Sequence, residues 1–547
     1  MLKKRIVSLC ASLLLGVAAC SGSDGGGPNV PPPPPPPPPV TKLEAFQFLN
    51  QASFGATETE ANRVISMRQE QWINSQLVQP PSLQLPHMLT LPPPQFMGQL
   101  HTDRVDIWFR NSLWGNDQLR QRVAFALSEI LVVSQLGALQ GRPFAVADYY
   151  DVLARNAFGN YRDLLEEVTL HPAMGVYLSM LGNEKPNPAL NIRPDENYAR
   201  ELMQLFSIGL VELNLDGTER LDGNNQPIPT YNQEIIEGFA HVFTGWTWAG
   251  SPSFGSDRVP VTSQYSPMEL WPEYHDTGPK MLLNGVTLPA GQTGEQDLAG
   301  ALDNIFAHDN VAPFVAIRLI QRLTTSNPST AYVRRVAEVF NDNGSGVKGD
   351  LRAVVTAILL DPEASPSMPM EIDGKLKEPL LRLTQLYKAY NATSASGKYP
   401  LLAAYILFAQ GPLQSPSVFN FFSPFYAPPG EIRDSSLVAP ELEIATEYTN
   451  TLLTNYMFGQ IFGLNQTNGD LEEDDIYIDI QEEMDIAADI DALINMVAGK
   501  LLGGEISDTL RTEIRGMLER VPDTETAIRA AETIYFVVTS PEFAYQR

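Results

Sequence analysis

The sequence predicts a mainly α protein, a multi-helical globular body carrying one or two small β-hairpins. Three observations predict it. Apolar residues recur at helical spacing in one segment after another. Several of those segments begin at capping residues and stop at prolines. Clear strand signals are few, the main one being a short stretch rich in Asp-Gly turns. The chain has 547 residues, 44% of them hydrophobic. That is enough for a large core, organised as one elongated helical body or as two lobes within residues 41–547.

The first forty residues are not part of that body. Lys3, Lys4 and Arg5 form a charged start, and Ile6 to Gly16 is an apolar run too short to span a bilayer. Val17-Ala18-Ala19-Cys20 follows and resembles a bacterial lipobox. The order of these features predicts a signal peptide over residues 1–19, removed to leave Cys20 carrying lipid. Several acyl chains would hold the protein at a bilayer surface. Ser21, where an aspartate would favour the inner membrane, points to the outer one, with the protein facing the periplasm or the cell surface. Residues 20–40 then read as a Gly/Ser/Pro-rich tether. The unbroken run Pro31 to Pro39 is a stiff spacer of roughly 28 Å at polyproline II rise. Cys10 leaves with the signal peptide and Cys20 is acylated, so the mature chain is expected to have no disulfide and no thiol chemistry.

Within the body, "LRQRVAFALSEILVVS" (119–134) places Leu119, Val123, Leu127, Ile130 and Leu131 on one stripe. "GDLRAVVTAILLDPE" has Asp350 as N-cap and stops at Pro362. "HDNVAPFVAIRLIQRL", "AYVRRVAEVF" and "AAETIYFVVTSPEF" read the same way. Residues 210–231 carry Asp-Gly pairs at 216–217 and 222–223 and predict a hairpin. Two segments stand apart in composition. Residues 405–430 are rich in aromatics, proline and glycine and read as an irregular loop packed on the core, with a sugar-binding surface as the alternative. Residues 470–491 hold eleven acids and no base, a solvated acidic face. The net charge of −27 argues against a nucleic-acid partner.

An ordered set of motifs carries a resemblance. "FLNQASFGATETEANRV" (48–64), "PDENYARELMQLFSIGL" (194–210), "YNQEIIEGFAHVFTGW" (231–246), "HDTGPK" (275–280), "KEPLLRL" (377–383) and "VVTSPEFAYQR" (537–547) succeed one another. In this the chain resembles the bacterial family known as domain of unknown function 1800. The resemblance implies an exported protein, and a secreted partner that itself resembles sulfatases and alkaline phosphatases. It implies no reaction. One departure matters. Where many members carry a Trp-His-Asn-His-Phe-like stretch, this chain has Ser128 and Glu129, which puts any metal site at that helix in doubt.

No G-x-S-x-G, H-E-x-x-H, Walker A or C-x-x-C signature occurs in the mature chain, and no cofactor or metal is evident. The candidate site is a scattered polar set: His275, Asp276, Lys280, Glu201, Arg200 and His241. On a helix starting at Asn197, Tyr198, Ala199, Leu202, Leu205 and Phe206 share one face, with Glu196 and Arg200 paired opposite. Glu201 lies at the flank of the apolar face and needs a partner or a proton. On the next helix, with Thr230 and Gln233 at capping-box spacing, His241 points away from the core. Asp276 accepts from Gly278 N–H to close a turn, which leaves His275 and Lys280 flanking a bend. Their expected partners are Glu201 or Glu196. Three functions fit these residues. The first is an envelope scaffold or binding lipoprotein acting with an exported partner. The second is a hydrolase using the His/Glu/Lys set, and the third is a carbohydrate-binding protein.

Overall fold

In the computed structural model, described for residues 38–96, 98–364, 374–463 and 471–546, helices alternate with irregular loops. Strand is confined to three antiparallel pairs of two residues each. They are Trp246–Thr247 with Glu269–Leu270, Lys280–Met281 with Thr287–Leu288, and Lys375–Leu376 with Tyr545–Gln546. The fold is mainly α with small hairpins, as the periodicity predicts. Val40–Arg547 form one compact unit. The leader, Cys20 and the proline run up to Pro37 lie outside the described residues. No helix among the described residues is long and apolar enough to cross a membrane.

Most element boundaries follow local chemistry. Asp350 caps its helix by accepting from Arg352 N–H and Ala353 N–H, and Leu351–Leu359 ends before Pro362. Residues 211–229 fold back twice, with bridges Val211↔Pro229, Leu213↔Glu219 and Leu221↔Pro227. Gly217 takes the left-handed conformation that its Asp-Gly turn requires. One expectation is corrected. Thr230 does not cap the following helix, because its hydroxyl donates to Gly209 O; Asn232 caps Gln233–Val242 instead. The predicted stripe of Leu119, Val123, Leu127, Ile130 and Leu131 is buried, and helix Gln118–Ser128 buries its other faces as well. Every one of its residues is buried, Gln118, Arg120, Gln121, Arg122 and Ser128 among them. It is a central helix, so its polar side chains must find partners inside the protein.

Those partners form a buried charged network. Lys375 Nζ lies 3.1 Å from Glu378 Oε1 and 3.0 Å from Glu441 Oε1, with all three side chains essentially inaccessible. Gln410 Nε2 donates to Glu378 Oε2 at 2.6 Å and to Glu129 Oε1 at 3.2 Å. Arg122 donates to Arg322 O at 2.6 Å, and Arg322 lies over the Phe422 ring at 4.5 Å. Glu129 Oε2 meets no N–H donor; Arg322 Nε stands 3.8 Å away. A buried oxygen without a donor favours the protonated acid over the carboxylate. Burial, and then the Glu378 carboxylate, push the Glu129 carboxyl up to about 8. Lys375, Arg322 and Arg122 outweigh the burial of Glu378 and hold its carboxyl below the ordinary range. The Ser128-Glu129 departure therefore places an acid in a salt-bridge network.

This assignment has a pH signature. Unfolded, Glu129 loses its proton near the ordinary value of 4.5; folded, it keeps the proton to about 8. Between those values the folded state binds more protons, so its contribution to stability falls as pH rises. Glu129→Gln, which mimics the neutral acid, is expected to flatten that slope in urea unfolding and to cost less than about 1 kcal/mol at pH 7. Glu378→Gln is expected to cost about 3–5 kcal/mol, because it unpairs buried charge. Equal losses from the two variants would contradict the assignment.

Candidate functional site

The "HDTGPK" bend packs across the Gln233–Val242 helix, and a glycine makes the approach possible. A Cβ at Gly238 would sit 1.8 Å from Met281 O, so the Lys280–Met281 strand crosses the helix at the one position without a side chain. Gly245, at φ +88°, turns the chain after the helix, where a Cβ would meet His275 N at 2.9 Å. The bend closes on itself as the residue types predict. Asp276 Oδ1 accepts from Gly278 N–H at 2.7 Å, and Lys280 Nζ donates back to Asp276 O at 2.6 Å and Gly278 O at 2.9 Å.

Two histidine–aspartate pairs result, and they differ in access. His275 is sealed in. Its Nε2 lies 2.9 Å from Asp297 Oδ2, and its Nδ1 lies 2.9 Å from Thr244 O. Both ring nitrogens face oxygen atoms. Lys280 Nζ reaches the same Asp297 oxygen at 2.6 Å, and these three side chains are at most 1% exposed. His241 is open. Its Nδ1 is hydrogen-bonded to Asp276 Oδ2, with the histidine side chain 32% exposed and the aspartate 18%. That bond, helped by Gly278 N–H, holds the Asp276 carboxyl down to about 2.

The structure thus gathers four of the six sequence-predicted residues, His241, His275, Asp276 and Lys280. It leaves Arg200 and Glu201 out. Arg200 pairs with Glu196 at 2.9 Å, and Glu196 also accepts from Gln233. The expected pairing of Lys280 or His275 with Glu201 or Glu196 does not form; Asp297 takes both. Glu201 is buried with Oε2 lacking a partner. Burial pushes its carboxyl up, against a smaller pull from Arg200. Asp297 is the residue that sequence reasoning missed. It sits in the first turn of Gly294–Ala307, on the stripe formed by Gly294, Leu298, Ala301, Leu302 and Ile305. An acid on an apolar stripe is the signal that marks it.

Chemically, the buried trio is a sealed ion cluster whose side chains are at most 1% exposed, with Asp297 Oδ1 buried and without a hydrogen-bond partner. His241 with Asp276 has the carboxylate–imidazole arrangement of a general base. No Ser, Thr or Cys side chain hydrogen-bonds its ring among the described residues, and no group of three His, Cys, Asp or Glu there has metal-holding geometry.

Comparison with known proteins defines the class. The family described as "Protein of unknown function (DUF1800)" matches residues 47–545. The chain belongs to that family, in agreement with the motif order read from the sequence. No curated protein matches it, and no solved structure matches it.

The cluster separates structural from dispensable carboxylates. Lys280→Met and Asp297→Asn should each cost about 3–5 kcal/mol in chemical denaturation, by leaving buried charge unpaired. The double variant should lose less than the sum of the two. Glu201→Gln should be neutral or stabilising at pH 7, because it removes a buried acid that has no counter-ion. A large loss from Glu201→Gln would show that the acid is paired after all.

Proposed function

We propose that this protein is an envelope-anchored lipoprotein that acts as a scaffold or binding partner for an exported, sulfatase-like protein. The observation that carries the reading is the set of exposed large apolar side chains along residues 406–458. Part of the 405–430 segment packs inward, with Phe408, Phe421 and Phe422 buried, but Phe425 is 70% exposed and Phe419 56%. Ile406, Tyr448 and Phe458 are exposed as well, and the short Ala404–Leu407 helix packs on Glu447–Phe458. Large apolar side chains gathered in one stretch of an acidic protein favour a protein partner. The burial of His275, Lys280 and Asp297 supports the same reading, since none of these three side chains is exposed to a substrate. A hydrolase is the second reading, and the half-exposed His241–Asp276 pair is what favours it.

Two measurements test the proposal. Mass spectrometry of the mature protein should find Cys20 acylated at a new N-terminus, and Cys20→Ala should free the protein from outer-membrane fractions; unmodified Cys20 in mature protein contradicts the anchor. Crosslinking of the intact lipoprotein in envelopes should capture an exported sulfatase-like protein. The variant Phe419→Ser/Phe425→Ser should lose that partner with stability changed by no more than about 0.5 kcal/mol per site. Unchanged capture by the double variant would remove this surface from the account. A hydrolytic activity lost on His241→Ala would move the weight to the second reading.

A further inference from the structure

Away from the bend, a cleft of 620 Å³ opens beside the Lys42–Ala52 helix and the Tyr545–Gln546 strand. Its lining includes Lys377, Gln47, Asn50, Ser507, Arg511 and Gln546. The volume is in the range of small-molecule sites. Lys377 is the unusual member. It is buried, its Nζ donates to Gln385 Oε1 at 2.6 Å, and it lies 4.6 Å from the Phe543 ring centre. Among the described residues, no carboxylate is within ion-pair distance. Of the two acids in the cleft, Glu542 accepts from Ser507 N–H and its hydroxyl, and Glu505 does not reach the lysine.

A buried ammonium without an anion is unfavourable unless something supplies the counter-charge. The cleft also holds acceptors without donors. Gln546 Nε2 donates to Leu323 O at 2.8 Å, which fixes its amide and leaves Oε1 buried and unpartnered. Gln47 Oε1 is likewise buried without a donor. The missing partner is therefore an anion for Lys377 and hydrogen-bond donors for the two glutamines. We propose that this cleft binds a small organic carboxylate that also carries N–H or O–H donors, with the carboxylate on Lys377 and the donors on Gln47 and Gln546. Burial, and to a smaller degree Arg382, lower the Lys377 ammonium to about 7. A bound carboxylate reverses that shift. The inference is independent of the partner surface proposed above.

The test is amine reactivity. The full-length protein is treated with N-hydroxysuccinimidyl acetate at pH 7.5 and acetylation of Lys377 is followed by peptide mass spectrometry. N-acetylglycine, glycylglycine and lactate are the probes, used at concentrations that saturate millimolar sites. N-acetylglycinamide, which lacks the carboxylate, is the control. At least one carboxylate should slow Lys377 acetylation by about threefold or more, the loss of free amine at pH 7.5 when an ion pair raises a pKa of about 7 by one unit, while exposed Lys398 is unaffected. The same ligand should raise the melting temperature of the parent but not of Lys377→Met. Protection by none of the three carboxylates, or equal protection by the carboxamide, overturns the proposal. The labelling arm uses the parent protein, so it stands even if Lys377→Met folds poorly.

Discussion

The structure depends on one constraint: buried charges contributed by segments far apart in sequence must meet. Glu129 ends the central helix, Arg322 ends Val311–Leu323, Lys375 and Glu378 flank the start of Pro379–Ala389, and Gln410 and Glu441 come from the irregular segment beyond. None of these groups can be left in the interior alone. The Lys375–Leu376 strand that begins this region pairs with Tyr545–Gln546 at the other end of the chain. The network therefore joins the N-terminal helices, the middle of the chain and its end. Replacing a charged member such as Glu378 leaves buried charge unpaired, a strong penalty against arrangements in which these segments dock differently.

The same logic operates on a smaller scale at the bend. Asp297 neutralises Lys280, and His275 is pinned between Asp297 and Thr244 O. Gly238 lets backbone cross helix at a distance no side chain permits. Polar motif residues of this kind resemble an active site in sequence, because catalysis and buried ion pairing use the same residue types. Access distinguishes them, and of the two histidines only His241 has it.

Much of the fold was legible in the sequence. Caps such as Asp350, the Asp-Gly turns at 216–217 and 222–223, and the outward direction of His241 are set within a few residues, and they read correctly. The partner of Lys280 was not legible from spacing, because several acids lie within reach of a folded chain and only tertiary packing selects Asp297 over Glu201. The full burial of the Gln118–Ser128 helix was not legible for a related reason. Its arginines and glutamines look like a solvent face until the rest of the chain encloses them. A lysine such as Lys377 gives no local sign that its counter-charge is missing. That becomes visible only when Gln47 and Gln546, from opposite ends of the body, line the same cleft.

Native-state hydrogen exchange at pH 7 tests most directly whether the charged network joins these distant segments. If it does, amides in Gln118–Ser128, Val311–Leu323 and Pro379–Ala389, and Gln546 in its strand, should share one opening free energy, and Glu378→Gln should lower all of them together. If Pro379–Ala389 and the terminal strand open at a distinctly lower free energy while Gln118–Ser128 stays protected, the segments are energetically separate and the account is contradicted.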